Sequence, residues 1–244
     1  MEQKYIYLAQ LALLIYVFGT GCNSNKSSTH TKKIVLCMGQ SNALGAGQDE
    51  DYPPFPNVTL VNASINPSVQ YRGPCIAFAE EFAKHNPNIQ VVVRQYAVGG
   101  SPMEYWTRPI ASFSSELNYF KRDQLLAVLF WQGETDGEFN FDSLWSKRFI
   151  MLVNVLRHDF GLPNLPVIYA QIGSQGLPDN QAPGWTRVQQ DQASVNMPNV
   201  VMVRTTDVPR NSPLHFSAKS YWEVGRRMAQ AYFALGDTLK RIDK

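Results

Sequence analysis

Short apolar runs alternate with longer amphipathic stretches from Lys32 to the end of the chain. This alternation is typical of parallel strands joined by crossover helices. Five apolar runs are predicted strands, at residues 33–38, 90–96, 125–131, 167–172 and 199–204. Four amphipathic stretches are predicted helices, at residues 75–85, 142–160, 186–195 and 217–235. Runs such as VVV and AVLF are apolar on both faces, so we expect helices on both sides of the sheet.

The predicted fold is therefore α/β, a three-layer α/β/α sandwich with a mainly parallel five-stranded sheet. In the stretch 142–160 the apolar residues recur mostly at spacings of three and four, as one buried helix face requires. Asp142 or Ser143 is expected to cap this helix, and Gly161 to end it. Residues 49–74, rich in Pro, Asn and Ser, are interpreted as a long surface excursion.

The N-terminal segment has the pattern of an export signal. Residues 5–18 form a 14-residue apolar stretch interrupted only by Gln10, and the sequence GTGC follows, ending at Cys22. The stretch is shorter than the roughly 20 residues of a membrane-spanning helix, but it has the length of a secretory h-region. We interpret residues 1–22 as a signal peptide, 23–32 as a flexible tether and 33–244 as a single domain.

The residues before Cys22 resemble a bacterial lipoprotein cleavage box, in which the cysteine becomes the lipidated first residue. The alternative is ordinary secretion, with Cys22 inside or just beyond the discarded peptide. The resemblance implies an exported lipoprotein of the bacterial cell envelope, in the periplasm or on the outer membrane. Contact with the membrane is then expected only through this N-terminal lipid.

Composition and charge narrow the function classes further. The 244 residues carry 22 Lys and Arg against 20 Asp and Glu, a net charge of +2, without a basic run that could follow a phosphate backbone. Nucleic acid is therefore not an expected partner. Cys37 and Cys75 are far apart and show no zinc-ligand spacing, so we predict no metal site. We expect these two cysteines to be buried free thiols, with a disulfide as the alternative.

Glycine-rich and polar segments follow the predicted strands where ligands gather in a parallel sheet. GQSN follows the first strand, AVGGS the second and WQGETD the third, and the segment after the last strand ends at His215. A serine on a glycine-flanked turn from strand to helix exposes its Oγ beside N–H groups that can hold an oxyanion. Ser41 and His215 are thus candidates for a nucleophile and its base at one edge of the sheet.

The set GQSN, AVGGS, WQGETD and a late HFS resembles the SGNH hydrolase superfamily. Within it, the set is similar to carbohydrate esterases typified by sialate O-acetylesterases and acetyl xylan esterases. The similarity extends from about Ile34 to the final helix. It implies a flavodoxin-like α/β/α fold and hydrolysis of acetyl esters on sugars without a metal or other cofactor. The expected substrate is an acetylated carbohydrate, either a xylan-type polysaccharide or an O-acetylated sialic acid.

By motif, the resemblance implies that Ser41 is the nucleophile and His215 the general base. It also implies an oxyanion hole made by the backbone N–H groups of Ser41 and Gly100 and the side-chain amide of Gln132. If the third strand stays extended through Gln132, the side chains of Gln132 and Glu134 point to the same face.

The chain departs from the family at the acid that orients the histidine. The family's last block is usually DxxH, whereas Ser212 stands three residues before His215 here. Glu134 is the favoured acid and Asp207 the alternative; a third reading is a Ser-His dyad oriented by a main-chain carbonyl. The competing role for Glu134 is structural, beneath the oxyanion hole.

Three further residues are candidates for substrate binding. Trp106 and Trp185 are predicted in loops, where aromatic faces can serve as platforms for sugar rings, and Arg187 is a candidate partner for a carboxylate. Core packing for the tryptophans and simple surface exposure for the arginine are the alternatives. Two other functions compete with the sugar esterase: a catalytically weakened carbohydrate-binding relic of the same fold, and an esterase for other short acyl esters.

Overall fold

The computed structural model describes residues 31–47, 55–62, 73–107, 124–141, 144–173 and 182–242. All of these residues belong to one compact unit, Thr31–Lys244. The predicted signal peptide, Cys22 and most of the predicted tether lie outside the described residues.

Six parallel strands form a single sheet in the order β2-β3-β1-β4-β5-β6. The strands are β1 (Thr31–Gly39), β2 (Val58–Asn62), β3 (Ile89–Ala97), β4 (Leu125–Trp131), β5 (Val167–Ala170) and β6 (Val200–Val203). Consecutive residues are buried in β1, β4 and β5, so both faces of the sheet are covered. This confirms the predicted three-layer α/β/α architecture.

The helices that flank the sheet fall into two groups. They are α1 (Ser41–Leu44), α2 (Pro74–His85), α3 (Glu134–Glu138), α4 (Trp145–Phe160), α5 (Ala182–Ala193) and α6 (Ala218–Ile242), with a 3₁₀ helix at Met103–Thr107. Helices α2 and α6 pack on each other, whereas α5 packs on α3 and α4. In the part of the chain that is described, none of these helices has the length and apolar character needed to cross a membrane.

The prediction of five strands is wrong by one. Strand β2 lies within the segment interpreted as a surface excursion, where it pairs with β3 at the edge of the sheet. An edge strand of five residues, VTLVN, lacks the long apolar run that marks the central strands. The tether prediction is also too long, because Thr31 and Lys32 already pair with β3.

Helix α4 begins later than predicted and is capped from elsewhere in the fold. It starts at Trp145, with Leu144 at the cap position and no side-chain bond from that residue. Instead, the Asp191 carboxylate on α5 accepts hydrogen bonds from the Ser146 backbone N–H at 2.8 Å and from its hydroxyl at 2.7 Å. The acceptor for this free N–H group of the first turn is 45 residues away in sequence, so the local sequence could not predict the cap. Asp142 and Ser143, the predicted caps, lie outside the described residues.

Cys37 and Cys75 form a disulfide, so the expectation of two free thiols is wrong. Cys37 lies in β1, two residues before that strand ends, and Cys75 lies in the first turn of α2. Their Cα atoms are 6.1 Å apart, within the range of ordinary disulfides. Sequence separation alone could not show that these two elements meet.

We expect the Cys37→Ala/Cys75→Ala variant to be less stable than the native chain by about 4 kcal/mol, because the disulfide closes a loop between residues 38 positions apart and restricts the unfolded state. Urea unfolding of the oxidised protein and the variant measures the difference. Equal urea midpoints, or two free thiols titrated in the native protein, would contradict the pairing.

Candidate active site

The ends of three strands meet at the centre of the sheet and bring the predicted site segments together. Gly39, the last residue of β1, pairs with Ala97 at the end of β3 and with Trp131 at the end of β4. Beyond these ends the Val98 backbone N–H donates to Gly39 O at 2.8 Å, and the Gln40 N–H donates to Trp131 O at 2.9 Å. The GQSN, AVGGS and WQGETD segments therefore start side by side at one edge.

Gly39 permits this close approach. Its φ is +125°, in a region that favours glycine, and a Cβ there would lie 2.0 Å from Trp131 O. Any side chain at this position would push β4 away from the turn that carries Ser41.

The structure brings Ser41 and His215 into hydrogen-bond contact. Ser41 Oγ lies 3.0 Å from His215 Nε2, although the residues are 174 positions apart. Ser41 is the first residue of α1, and His215 lies in the loop between β6 and α6. Both side chains are only partly buried, so a substrate has access to them. A serine hydroxyl and an imidazole in this geometry have the arrangement that a nucleophile and its general base require.

Backbone bonds within its own loop hold His215. The His215 N–H donates to Ser212 Oγ at 2.9 Å, and the N–H groups of Asn211 and Ser212 donate back to His215 O at 3.3 Å. The ring packs against Gly47, where a Cβ would lie 2.9 Å from the Cβ of His215 and 3.4 Å from Nδ1. Ser212 thus positions the backbone of His215, and among the described residues the only hydrogen bond of the ring is to Ser41.

Asn42, which the sequence analysis missed, joins the two halves of the site. It is fully buried, and its Nδ2 donates to Leu214 O at 3.1 Å and to Glu134 Oε1 at 2.6 Å. Its Oδ1 lies 2.6 Å from the Tyr221 hydroxyl, and that hydroxyl accepts the Phe216 N–H at 3.4 Å. The residue after Ser41 therefore contacts both neighbours of His215, directly or through Tyr221.

Glu134, the favoured acid, lies against Asn42 instead of His215. Burial raises its pKa to about 7, although the hydrogen bond from Asn42 and the charge of Arg210 act in the opposite direction. Its Oε2 makes no hydrogen bond to the described residues. A carboxyl group whose pKa is raised by burial and which does not contact the imidazole is poorly suited to balance an imidazolium charge. The geometry favours the structural role for Glu134.

Asp207, the alternative acid, points away from the site. Its carboxylate forms a two-point ion pair with Arg227 on α6, at 2.7 and 2.8 Å. The contact with Arg227 holds the pKa of Asp207 below its ordinary value. The structure therefore does not bring either candidate carboxylate to His215.

Gln132, predicted as an oxyanion donor, is fully buried and its amide is already engaged. Its Nε2 donates to Ser101 O at 3.0 Å and to Asp136 Oδ2 at 2.5 Å, and its Oε1 accepts the Trp145 indole N–H at 2.8 Å. Since an amide has two N–H bonds, none is left for a substrate oxygen. Gln132 therefore stabilises the turn at Ser101 through its side-chain amide.

The condition on which Gln132 and Glu134 were expected to share a face, an extended strand through Gln132, is not met. Strand β4 ends at Trp131, and Gly133 has a φ of +140°, so the chain turns into α3 directly after Gln132. The Gln40 side chain stabilises this turn, because its Oε1 lies 3.3 Å from the Gly133 N–H.

The two predicted backbone donors lie just after β1 and β3. Gly100 is exposed, has a φ of +70° and lies in a turn in which the Ser101 N–H donates to Val98 O at 3.2 Å. Within the described residues, neither the Gly100 N–H nor the Ser41 N–H has a hydrogen-bond acceptor.

The candidate substrate residues do not lie together at the site. Trp106 and Trp185 are both buried: the Trp106 indole N–H donates to Ser101 Oγ at 3.1 Å, and Trp185 contacts Gly137. They pack in the core, and neither offers a face to a sugar, so that prediction is wrong. Arg187 is exposed on α5. In the described segments, no cluster of His, Cys, Asp or Glu could hold a metal ion.

Arg210, also missed, places a positive charge beside the site. Its guanidinium lies over the rings of Trp185 and Phe216, at 5.2 and 5.0 Å from their centres, and donates to Pro213 O. Burial and the charge of Arg210 lower the pKa of His215. A lowered pKa favours the neutral imidazole, which is the form that can accept a proton from a hydroxyl group.

The pH profile of turnover should show this effect. His215 must be neutral to act as a base, so we expect activity to persist below pH 6.5, the ordinary pKa of histidine, and to fall at lower pH. Replacing Arg210→Gln removes a charge that disfavours the imidazolium, so the acid limb should move to higher pH. Arg210→Lys, which keeps the charge, is the control. An acid limb that does not differ between the Gln and Lys variants would contradict this role.

Comparison with known proteins agrees with this fold, which is that of an SGNH-type carbohydrate esterase. A family model described as "Carbohydrate esterase, sialic acid-specific acetylesterase" matches residues 57–234, well over half of the chain. The chain belongs to this family of carbohydrate esterases. The matched segment begins after Ser41 and includes Gly100, Gln132 and His215.

Individual relatives show the same relationship. A protein named "Probable carbohydrate esterase" from Arabidopsis thaliana is 27% identical over 172 residues, 66% of this chain and 64% of that protein, so the match spans less than two thirds of its length. An X-ray structure of the same protein gives a TM-score of 0.72 at 25% identity, covering 83% of this chain and 98% of that chain.

More distant structures share the fold. A carbohydrate acetylesterase from Xanthomonas citri gives a TM-score of 0.59 at 18% identity, covering 82% of this chain and 55% of that chain. NanS gives a TM-score of 0.66 at 13% identity, covering 86% of this chain and 98% of that chain.

Proposed function

We propose that this protein is a serine esterase that removes O-acetyl groups from carbohydrates. The observation that carries the proposal is the 3.0 Å contact between Ser41 Oγ and His215 Nε2 at the carboxyl edge of the sheet. Membership of a carbohydrate esterase family supports the class of substrate.

In the first half of the proposed reaction, Ser41 Oγ attacks the acetyl carbonyl carbon while His215 Nε2 takes the hydroxyl proton. The carbonyl oxygen becomes an oxyanion in the tetrahedral intermediate, and the N–H groups of Ser41 and Gly100 are its proposed donors. The intermediate collapses when the bond to the sugar oxygen breaks. His215 returns the proton to that oxygen, and the sugar leaves as an alcohol with its hydroxyl restored.

In the second half, water hydrolyses the acetyl group on Ser41. His215 Nε2 takes a proton from the water, whose oxygen attacks the acetyl carbon, and the proton then passes to Ser41 Oγ as acetate leaves. The reaction consumes the ester and one water molecule and needs no other reactant. His215 is neutral at the start of each half, which is the state that its lowered pKa favours.

The Ser-His centre works as a dyad in this proposal. Packing against Gly47 and the backbone bonds to Ser212 hold the imidazole of His215 in place. A dyad without a buried carboxylate stabilises the imidazolium less than a triad does. We therefore propose a turnover below that of a complete triad.

Acetate release tests the proposed function. The substrates are p-nitrophenyl acetate, acetylated xylan and O-acetylated sialic acid, and a series of p-nitrophenyl esters from acetyl to octanoyl measures acyl preference. We expect release from at least one acetylated sugar and a rate that falls as the acyl chain lengthens. A rate that rises toward octanoyl would indicate another kind of esterase. A folded protein that releases no acetate would indicate a carbohydrate-binding relic.

We also propose that the protein is exported and lipid-anchored at Cys22. The Cys37–Cys75 disulfide supports export, because disulfides persist in oxidising compartments and are rare in the cytosol. Mass spectrometry of the protein extracted from membranes should find a lipid-modified Cys22 at the N-terminus. An unmodified N-terminus would rule out the anchor.

A further inference from the structure

Two aromatic rings that no step of the proposed reaction uses are exposed near the same edge of the sheet. Phe139 is 63% exposed and Phe141 is 43% exposed. Their rings stack on each other, with centroids 5.8 Å apart and planes 26° apart. The other exposed large hydrophobic side chains among the described residues are Met151 and Val155, both on α4. Adjacent exposed aromatic rings form a patch of the kind that marks binding surfaces.

The local backbone fixes this pair of rings. The Phe139 N–H donates to Thr135 O at 3.1 Å, at the end of α3, and the Phe141 N–H donates to Asp136 O at 3.0 Å. Between them Asn140 has a φ of +55°, a left-handed conformation that asparagine tolerates better than most residues. The two rings are therefore positioned by a hydrogen-bonded turn before any ligand arrives.

Phe141 also lines a cleft next to the turn that carries Gly100. The cleft has a volume of about 150 Å³ and is lined by Pro102, Glu104, Asp136, Phe141 and Arg148. This volume is below the roughly 300–1,000 Å³ of pockets that enclose whole small ligands. It suits one ring of a longer chain better than a complete, isolated ligand.

The cleft lies close to the turn that carries Gly100, one of the two proposed oxyanion donors. Pro102 is two residues from Gly100, a distance that extended chain spans in at most about 7 Å. Asp136, which lines the cleft, also contacts the segment after Gly100, because its carboxylate accepts the Met103 N–H at 2.9 Å. The cleft that Phe141 lines therefore lies beside the segment that carries Gly100.

The charges of the cleft favour an uncharged ligand. Glu104 and Asp136 contribute two carboxyl groups against the single guanidinium of Arg148. The cleft therefore has no surplus positive charge to hold an anionic sugar. Aromatic faces carry partial negative charge, and the C–H face of a pyranose ring is the apolar, partly positive surface that matches them.

We propose that the Phe139–Phe141 pair and its cleft bind a neutral sugar ring of a polysaccharide substrate, next to the acetylated one. The proposal rests on the proposed function and deepens it: it names a neutral acetylated polysaccharide, in preference to a sialic acid, as the substrate class. Phe139 and Phe141 determine specificity and take no part in bond breaking.

The Phe139→Ala/Phe141→Ala variant tests this surface, with Met151→Ala/Val155→Ala as a control that removes equally exposed apolar side chains elsewhere. For each variant kcat/KM is measured on acetylated xylo-oligosaccharides and on p-nitrophenyl acetate. We expect the ratio of the two values to fall about tenfold or more in the Phe variant, since two lost stacking contacts correspond to that factor. The control should keep the native ratio.

Binding of a deacetylated xylo-oligosaccharide, followed by calorimetry, makes the same comparison without catalysis, so that a failure of the esterase activity leaves this test intact. We expect the Phe variant to bind about tenfold or more weakly than the control. Equal binding by the two variants would overturn the proposal. So would a native dimer that the Phe substitutions convert to a monomer, because the rings would then belong to a contact between two copies of the chain.

Discussion

Replacing Ser41→Ala should lower kcat on p-nitrophenyl acetate by about 10⁴-fold or more, because the substitution removes the hydroxyl oxygen that His215 is placed to activate as a nucleophile. The fold should be unchanged. Ser41 Oγ bonds only to His215 within the described residues, and it is partly exposed, so its loss leaves no buried polar group without a partner. Initial rates with substrate in excess, together with a thermal unfolding curve, measure both effects.

Ser194→Ala is a suitable control. Its hydroxyl is exposed and donates to Asp191 O at 2.7 Å. Ser194 lies between α5 and the start of β6, at the amino ends of the strands, whereas the proposed site lies at their carboxyl ends. The control should retain native turnover. A Ser41→Ala protein that is folded and loses less than about tenfold in kcat would mean that Ser41 is not the nucleophile.

The second large effect is expected from Asn42→Ala. This change removes the donor to Leu214 O and Glu134 and one of the two acceptors beside the Tyr221 hydroxyl, so the loop of His215 loses its direct bond to the helix of Ser41. Displacing a reacting group by about 1 Å can cost 10²-fold in rate, and we expect a loss of that order in kcat. The free energy of unfolding should fall by about 1–3 kcal/mol, because the buried carboxyl of Glu134 loses a partner.

The matched control is Asn86→Ala. Asn86 also donates an amide N–H to a backbone carbonyl, that of Phe82 at 2.9 Å, but it lies at the far end of α2. It should keep native kcat. An Asn42→Ala variant that loses stability but keeps turnover within about threefold would show that the link supports the fold and not the Ser-His geometry.

Glu134→Gln separates the two roles considered for Glu134. The glutamine keeps an oxygen for the Asn42 amide and removes the charge, so we expect kcat to change by less than about tenfold. A loss of about a hundredfold or more, with stability unchanged, would mean that the carboxylate charge acts on His215 after all.

The strands with long apolar runs could be predicted from the sequence, because a strand covered on both faces must be apolar at successive positions. The run KIVLCM identified β1, and LLAVLFW identified β4 with its bounds as observed. Strand β2 was missed because its mixed polar and apolar residues at the sheet edge resemble a loop. The Cys37–Cys75 pairing and the Asp191 cap depend on contacts between distant segments, which no local pattern contains.

In the proposed site, too, some features could be predicted from the sequence and others could not. Ser41, Gly100 and His215 stand in segments that follow strands, so their meeting at one edge followed from the parallel sheet. The directions in which the side chains point could not be predicted in the same way. Gly133 ended the extended chain and gave Gln132 and Glu134 different neighbours. The burial of Trp106 and Trp185 could not be predicted either, because the sequence around them would look the same if they lay in exposed loops.

The central claim, a covalent acetyl group on Ser41, is tested most directly by trapping the intermediate. The native protein is mixed with p-nitrophenyl acetate, quenched in acid during turnover and digested for peptide mass spectrometry, with Ser41→Ala treated in parallel. We predict that the peptide containing Ser41 gains the mass of one acetyl group and that the variant shows no such gain. Acetate release without an acetylated Ser41 peptide, or acetylation of the variant at another residue at the same rate, would contradict the claim.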